Sequence, residues 1–234
     1  MEMLINKKAL FLIPLGLLLA LSIRAQDALP RQQVMLETDS GNILIELYNE
    51  TPLHRDNFLK NVREKVYDGV LFHRVISSFM IQTGDTLSRH AAPGQLLGDT
   101  PEDHKVPAEI RFPELFHKRG SVAAAREPDE VNPNFESSQF QFYIVWGRRM
   151  SDMMLDKAQD RLDDATDGRV KLSPELREAY QRIGGTPHLD GQYTVFGQVV
   201  EGLDVVDRIQ WVETDANARP LVDIKVNRAY VVEP

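Results

Sequence analysis

The chain has 234 residues, 42% of them hydrophobic, with no cysteine and a formal charge of −8. That size suits one medium-sized domain with its own core. The missing cysteines exclude disulfides, thiolate metal sites and a thiol nucleophile, and the acidic balance argues against nucleic acid as a partner.

Residues 1–8 carry Lys7 and Lys8, and residues 9–23 form the apolar run ALFLIPLGLLLALSI, followed by Arg24-Ala25-Gln26. A basic start, a short apolar stretch and a small residue at the cut describe a secretory signal peptide ending at Ala25. An uncleaved anchor is the alternative, although the run falls short of the ~20 apolar residues of a spanning helix. No cysteine follows, so a lipid-anchored form is excluded. Cleavage removes one acid and three bases and leaves a charge of −10. The expected organisation is a signal peptide at 1–25, a linker at 26–33 and one domain at 34–234. The expected location is the periplasm or cell envelope, or the medium, with only transient membrane contact.

VMLETDSGNILIELY alternates on both sides of a turn at Asp39-Ser40-Gly41 and predicts a hairpin. Thr51-Pro52 reads as an N-cap and first helical residue, opening a helix over 52–66 with Leu53, Phe58, Leu59 and Val62 on its apolar face. Asp56-Asn57 reads as ordinary surface. Strand composition returns at 72–83, 120–125, 139–146, 193–200 and 222–232, with a short helix at 201–210. Residues 89–107 and 127–136 are rich in Pro or Gly and read as loops. Residues 148–183 break the pattern. They are charged and helix-prone, with an apolar stripe of Met153, Leu155, Ala158 and Leu162, and Ser173-Pro174-Glu175 opens a second piece. They read as a helical insertion, or as a partner-binding arm. Trp146 and Trp211 read as core or partly buried surface.

FHRVISSFMIQTGD, residues 72–85, sets an arginine in an apolar run, where it needs something to hold. An ordinary salt bridge of Arg74 to Asp85 or another acid is one answer. The stretch also resembles the signature of cyclophilin-type peptidyl-prolyl isomerases, close to FHRxIxxFMxQxGD. LETDSGNILIELYNETPLHRDNF, GQLLGDT, VPAEI, GSVAAAR, SQFQFYI and HLDGQYTVFGQVVEGLDVVDRI follow in that family's order. The resemblance spans 34–146 and 184–232 and leaves out the leader and the 148–183 insertion.

The resemblance implies a mainly β fold, a closed eight-stranded antiparallel barrel capped by two helices. It implies cis/trans isomerisation of X–Pro bonds, with no cofactor and no metal, on unfolded or flexible proline-containing polypeptides, by a monomer. Arg74 is then the catalytic donor and Gln82 the glutamine that orients it. Phe79, Met80, Tyr143 and Leu189 form the proline cup. Gln141 stands at the groove wall, with Gln139 competing for its register. Ala125 and Arg126 form the strand that pairs with substrate backbone.

The chain departs from the pattern in places. Ser77-Ser78 replaces a common Pro-Gly, and Gln82-Thr83-Gly84-Asp85 has lost one glycine. Tyr143 replaces the phenylalanine of the cup, Ala124 a methionine and Arg126 an asparagine. His188 stands for a frequent tryptophan and Tyr193 for a histidine near the ring, which implies weak cyclosporin binding. The six histidines are scattered and show no metal-ligand spacing, and no nucleophile elbow is present. A proline-binding module or a chaperone on the same scaffold is the rival function.

Overall fold

The computed structural model describes residues 30–232; the expected signal peptide lies outside them. Eight antiparallel strands form one sheet: β1 (Gln33–Thr38), β2 (Gly41–Leu47), β3 (Arg74–Ile76), β4 (Met80–Thr83), β5 (Ser121–Ala124), β6 (Phe142–Val145), β7 (Val195–Glu201) and β8 (Val226–Val232). Their order is β3-β4-β6-β5-β7-β2-β1-β8. The predicted hairpin is β1–β2, paired from Gln33↔Glu46 to Thr38↔Gly41. The chain leading into β3 meets the chain leading into β8 through a Leu71–Lys225 bridge and the Phe72 N–H to Ile224 carbonyl bond of 2.9 Å.

Side chains alternate across each strand, and here both faces are apolar. Val122, Ala124, Phe142 and Ile144 belong to one cluster with Ile43, Ile45 and Phe196. Ala123, Tyr143 and Val145, their neighbours in the chain, belong to a second cluster with Met80 and Val195. Helix α1 (Pro52–Arg63) covers the first face. Its Phe58 meets Tyr67, Phe142 and Phe196 with ring centroids 5.0–5.4 Å apart.

Several expectations change. Helix α1 stops at Arg63, and Leu53 lies off its buried face, 50% exposed. Thr51 occupies the N-cap without a capping bond. The cap comes instead from Glu109, whose carboxylate accepts from the Leu53 and His54 N–H groups. Asn57 is not idle surface: its amide and that of Asn61 both donate to the Gln139 carbonyl at 2.8 Å. That engagement, together with the Phe140 and Gln141 N–H bonds to Ser138 Oγ, keeps residues 139–141 out of β6. Strand β8 starts only at Val226, because Lys225 bonds Asp39 through its N–H and its carbonyl. Trp211 is 67% exposed. The expected linker is engaged from Arg31, which ion-pairs with Glu46 and Glu50.

The 148–183 segment forms α2 (Asp152–Thr166) and α3 (Pro174–Arg182), with Ser173 Oγ accepting from the Leu176 N–H. Leu155, Ala158 and Leu162 pack with Val170, Leu172 and Tyr180 in a third cluster. Met153 faces solvent, one position out of phase with that stripe. Helix α4 (Leu203–Gln210) follows β7 and packs Val205, Val206 and Ile209 into the first cluster. No helix among the described residues is long and apolar enough to cross a membrane.

Phe58 is 2% exposed and contacts three other rings. Phe58→Ala is expected to lower the unfolding free energy by about 3–5 kcal/mol, read from urea denaturation followed by tryptophan fluorescence.

Candidate active site

The β3–β4 register places Arg74 opposite Gln82 and Ile76 opposite Met80. The turn between the strands holds Ser78 at φ +61°, a left-handed conformation unusual for serine. Buried Gln210 of α4 stabilises it by accepting from the Ser78 N–H at 2.8 Å and the Ser77 hydroxyl at 3.3 Å. After β4 the chain passes so close to Phe140 that a Cβ on Gly84 lies 2.3 Å from its carbonyl oxygen, which explains the glycine kept in Gln82-Thr83-Gly84-Asp85. Thr83, where a glycine is usual, is buried and donates to the Leu71 carbonyl at 2.8 Å.

Arg74 Nη1 donates to Gln82 Oε1 at 3.2 Å and lies 3.9 Å from Met80 Sδ. Gln82 Nε2 donates to Gln141 Oε1 at 3.0 Å, and Gln141 Nε2 donates to the Gly98 carbonyl at 2.8 Å. Gly98 N–H donates to Asp85 Oδ2 at 2.6 Å. Gln141, not Gln139, thus meets Gln82; the Gln139 side chain accepts from the Asp103 N–H. The alternative ion pair of Arg74 with Asp85 is not formed. Asp85 is fully buried and accepts from Leu87 N–H, Gly98 N–H and the Thr100 hydroxyl. Among the described residues Arg74 has no carboxylate within ion-pair distance. Burial lowers the guanidinium pKa from its usual value, yet an arginine stays cationic.

A hollow of about 310 Å³ opens at this guanidinium, lined by Arg74, Phe79, Met80, Gln82, Ala125, Arg126, Tyr143, Leu189 and Tyr193. Of the residues singled out in the sequence, Gln141 stands behind Gln82, and His188 stacks on Phe79 with centroids 5.5 Å apart. Burial pushes the His188 pKa down to about 4, helped by His117 and Arg161, so at neutral pH it is an uncharged flat ring. The Arg126 guanidinium is itself engaged at the edge of the hollow. It lies between the Phe135 and Tyr193 rings, at 4.6 and 4.5 Å, and bonds the Gln192 carbonyl and Asp129. Both backbone groups of Ala125 are taken, by the Gln141 carbonyl and the Ser138 N–H. Those of Arg126 make no hydrogen bond among the described residues. A second hollow of about 480 Å³ shares Gln82, Ala125 and Arg126 and is rimmed by Asp99, Glu102, Glu127 and Glu136.

Sequence reasoning missed the group behind Tyr143. The phenol lies 3.0 Å from His117 Nε2, and His117 Nδ1 lies 2.9 Å from Asp190 Oδ1. Tyr180 of α3 donates to Asp190 Oδ2 at 2.6 Å. With Nδ1 donating to the carboxylate, Nε2 accepts from the Tyr143 hydroxyl. Burial raises both phenol pKa values well above the usual tyrosine range, so each keeps its proton. The added hydroxyl is thereby drawn out of the hollow, which keeps its apolar floor. His117 and Asp190 lie 73 positions apart, and no local pattern joins them.

A cationic donor beside an apolar hollow, on a groove with free backbone groups, has the chemistry to receive an extended chain. The comparisons make the class specific. The cyclophilin type peptidyl-prolyl cis-trans isomerase/CLD family matches residues 33–231. The peptidyl-prolyl cis-trans isomerase ppi1 of Schizosaccharomyces pombe is 32% identical over 197 residues, covering 84% of this chain and 96% of its own. A longer Streptococcus pyogenes protein, named for phosphatase and peptidyl-prolyl isomerase together, is 32% identical over 204 residues; these cover 86% of this chain but 39% of that one. A cyclophilin type isomerase from Cryptosporidium parvum has a similar fold, with TM-score 0.61 and 21% identity over 88% of this chain and 99% of that one. It was also solved in the presence of the dipeptide Ala-Pro, with TM-score 0.59. The chain belongs to the cyclophilin-type peptidyl-prolyl cis-trans isomerases. It is an enzyme that interconverts the cis and trans forms of X–Pro bonds.

His73, beside Arg74, is buried, and neither ring nitrogen has a hydrogen-bond partner among the described residues. Burial, reinforced by the Arg74 charge and opposed by Asp85, pushes its pKa down to about 4 from 6.5. Above pH 6.5 the ring is neutral whether the chain is folded or not. Below it the unfolded chain takes up the proton first, so stability falls as pH drops from 6.5 towards 4. The loss from this residue is expected to reach roughly 3 kcal/mol, measured as the difference in pH dependence of urea unfolding between wild type and His73→Asn.

Proposed function

We propose that Arg74 drives the rotation by donating a hydrogen bond to the imide nitrogen of a twisted X–Pro bond. The planar bond resists rotation because the nitrogen lone pair is delocalised into the carbonyl, and uncatalysed exchange takes tens to hundreds of seconds. Twisting localises that lone pair, which then accepts a hydrogen bond that neither planar form accepts well. A fixed donor at that position binds the twisted state better than the ground states, which is the condition for catalysis. The observation that carries this reading is the guanidinium itself. It is held on one edge by a neutral glutamine and paired with no acid among the described residues, so its field is directed at the hollow.

The proline ring fits between Phe79, Met80, Tyr143 and Leu189, and Gln82 orients Arg74. Gln141 holds Gln82 in turn, and the free backbone groups of Arg126 pair with the extended substrate as an added strand does. The neutral His188 ring closes the wall behind Phe79 and Tyr193 the far side. The substrates are proline-containing segments of unfolded or flexible chains, and the solved relative with Ala-Pro supports that class. A rate gain of roughly 10⁵ requires about 7 kcal/mol. One charged hydrogen bond contributes about 1.5–3 kcal/mol, so the dry hollow and the substrate carbonyl must add to it. On the same reading the sheet closes into a barrel between the chain entering β3 and that entering β8, with α2 and α3 as an insertion in the family fold. The pattern of residues 1–25 supports export, with the clients being exported chains whose folding is assisted.

Arg74→Ala is expected to lower kcat/KM on a short Ala-Pro peptide by roughly 10²- to 10³-fold, measured by exchange NMR, with unchanged circular dichroism. A variant that keeps the wild-type rate would remove Arg74 from the mechanism. Cell fractionation is expected to recover the mature protein outside the cytoplasm, beginning at Gln26 by N-terminal sequencing. Recovery of intact residues 1–25 in the soluble cytoplasmic fraction would overturn the export reading.

A further inference from the structure

A third groove of about 480 Å³, between the β3–β4 turn and helix α2, shares Phe79 with the hollow at Arg74. Its helix wall is one face of α2, with Met154, Lys157, Ala158 and Arg161 at intervals of three, one and three residues. Arg148 adds a third cation on the approach to that helix, and no carboxylate lines the groove. Among the described residues none of Arg148, Lys157 and Arg161 takes part in an ion pair. Of the acids of α2, Asp152 and Asp156 meet Arg177 and Asp163 meets Lys171, while Asp160 and Asp164 take part in no ion pair among the described residues and do not line the groove. In a chain with a net charge of −8, this stripe of unpaired bases is a local reversal of sign. In the groove wall Thr186 is 2% exposed, and its hydroxyl has no partner among the described residues.

We infer that this groove binds an acidic segment of the substrate polypeptide next to its proline, so that the helices of 148–183 act as a specificity element for the reaction. The inference rests on the reading that the proline occupies the hollow at Phe79. Three features fix the occupant. The groove adjoins the proline hollow, because Phe79 lines both and His188, stacked on Phe79, lines the new one. The three cations are complementary to carboxylates, while Met150 and Met154 offer an adaptable apolar floor to the side chains between them. At the other end the hollow beside Gln82 carries Asp99, Glu102, Glu127 and Glu136 against Lys105 and Arg126, with Lys105 paired to Glu127, a net acidic rim that disfavours an acidic segment. The binding surface therefore runs from an acidic end through the proline hollow to a basic end. Such a gradient selects both the composition of a chain and the direction in which it lies.

The test compares four Ala-Pro peptides by exchange NMR: a short uncharged one, one with a Ser-rich extension, and two with three Asp residues, placed before or after the proline. Wild type is expected to turn over one of the two acidic peptides with a KM on the order of five- to tenfold below that of the Ser-rich peptide, from a few partly exposed charge pairs. The advantage is expected to vanish in 1 M salt, where screening acts over about 3 Å. Lys157→Gln with Arg161→Gln should abolish the advantage, and Lys157→Glu with Arg161→Glu should turn it into a penalty. Both pairs should keep the wild-type rate on the short peptide. No preference between acidic and Ser-rich peptides in wild type overturns the inference, as does a preference that survives charge reversal. Absence of turnover of the short peptide by wild type instead refutes the proline reading on which it stands.

Discussion

The whole site depends on keeping an arginine charged, half-buried and oriented without giving it an acid. A carboxylate would hold Arg74 firmly but would also neutralise the field it exerts on the hollow. The chain uses amides instead. Gln82 takes one N–H of the guanidinium, Gln141 holds Gln82, and the Gly98 carbonyl holds Gln141. The one carboxylate at the end of this series, Asp85, is occupied by Leu87, Gly98 and Thr100. It fixes the loop that carries Gly98 and leaves the guanidinium unneutralised. Orientation is thus passed through neutral dipoles, which are strong in a low-dielectric setting only when every member is satisfied.

The strand period puts this arrangement where it is. With side chains alternating across the sheet, Ile81, Phe142 and Ile144 build the core under α1. Arg74, Met80, Gln82 and Tyr143 emerge on the opposite face. A shift of one residue in β4 against β6 would send Gln82 into the aromatic core and Ile81 into the hollow. The register is held from outside the ladder by Gly84, which passes under the Phe140 carbonyl, and by the asparagines of α1 gripping Gln139. Fold stability and site geometry therefore share the same side chains.

This also marks what could be read in advance. The hairpin, the existence of helix α1 and the N-cap of α3 are local signals, whereas the pairing of Arg74 with Gln82 within FHRVISSFMIQTGD is what the family resemblance implies. Arg74 and Gln82 lie eight positions apart and face each other because a tight turn joins their strands. The cap of α1 was illegible because it comes from Glu109, 55 positions away. Gln141 is preferred over Gln139 because Phe142-Tyr143-Ile144 follows it in the family's order, and its bond to Gln82 agrees. Leu53 and Met153 were misjudged for one reason: near a helix end a single position of phase moves a residue from core to solvent. His117 and Asp190 gave no signal, since each is an unremarkable residue in its own segment.

Tyr180 reaches out of helix α3 to the same carboxylate that holds His117 and, through it, the phenol in the floor of the hollow. The helices are therefore not a detachable accessory hung on the sheet. Trimming them back to a shorter loop strips Asp190 of one donor and opens a fully buried carboxylate to water, a change felt at Tyr143. Helix α3 and the floor of the pocket therefore share one buried carboxylate, so a change in either reaches the other.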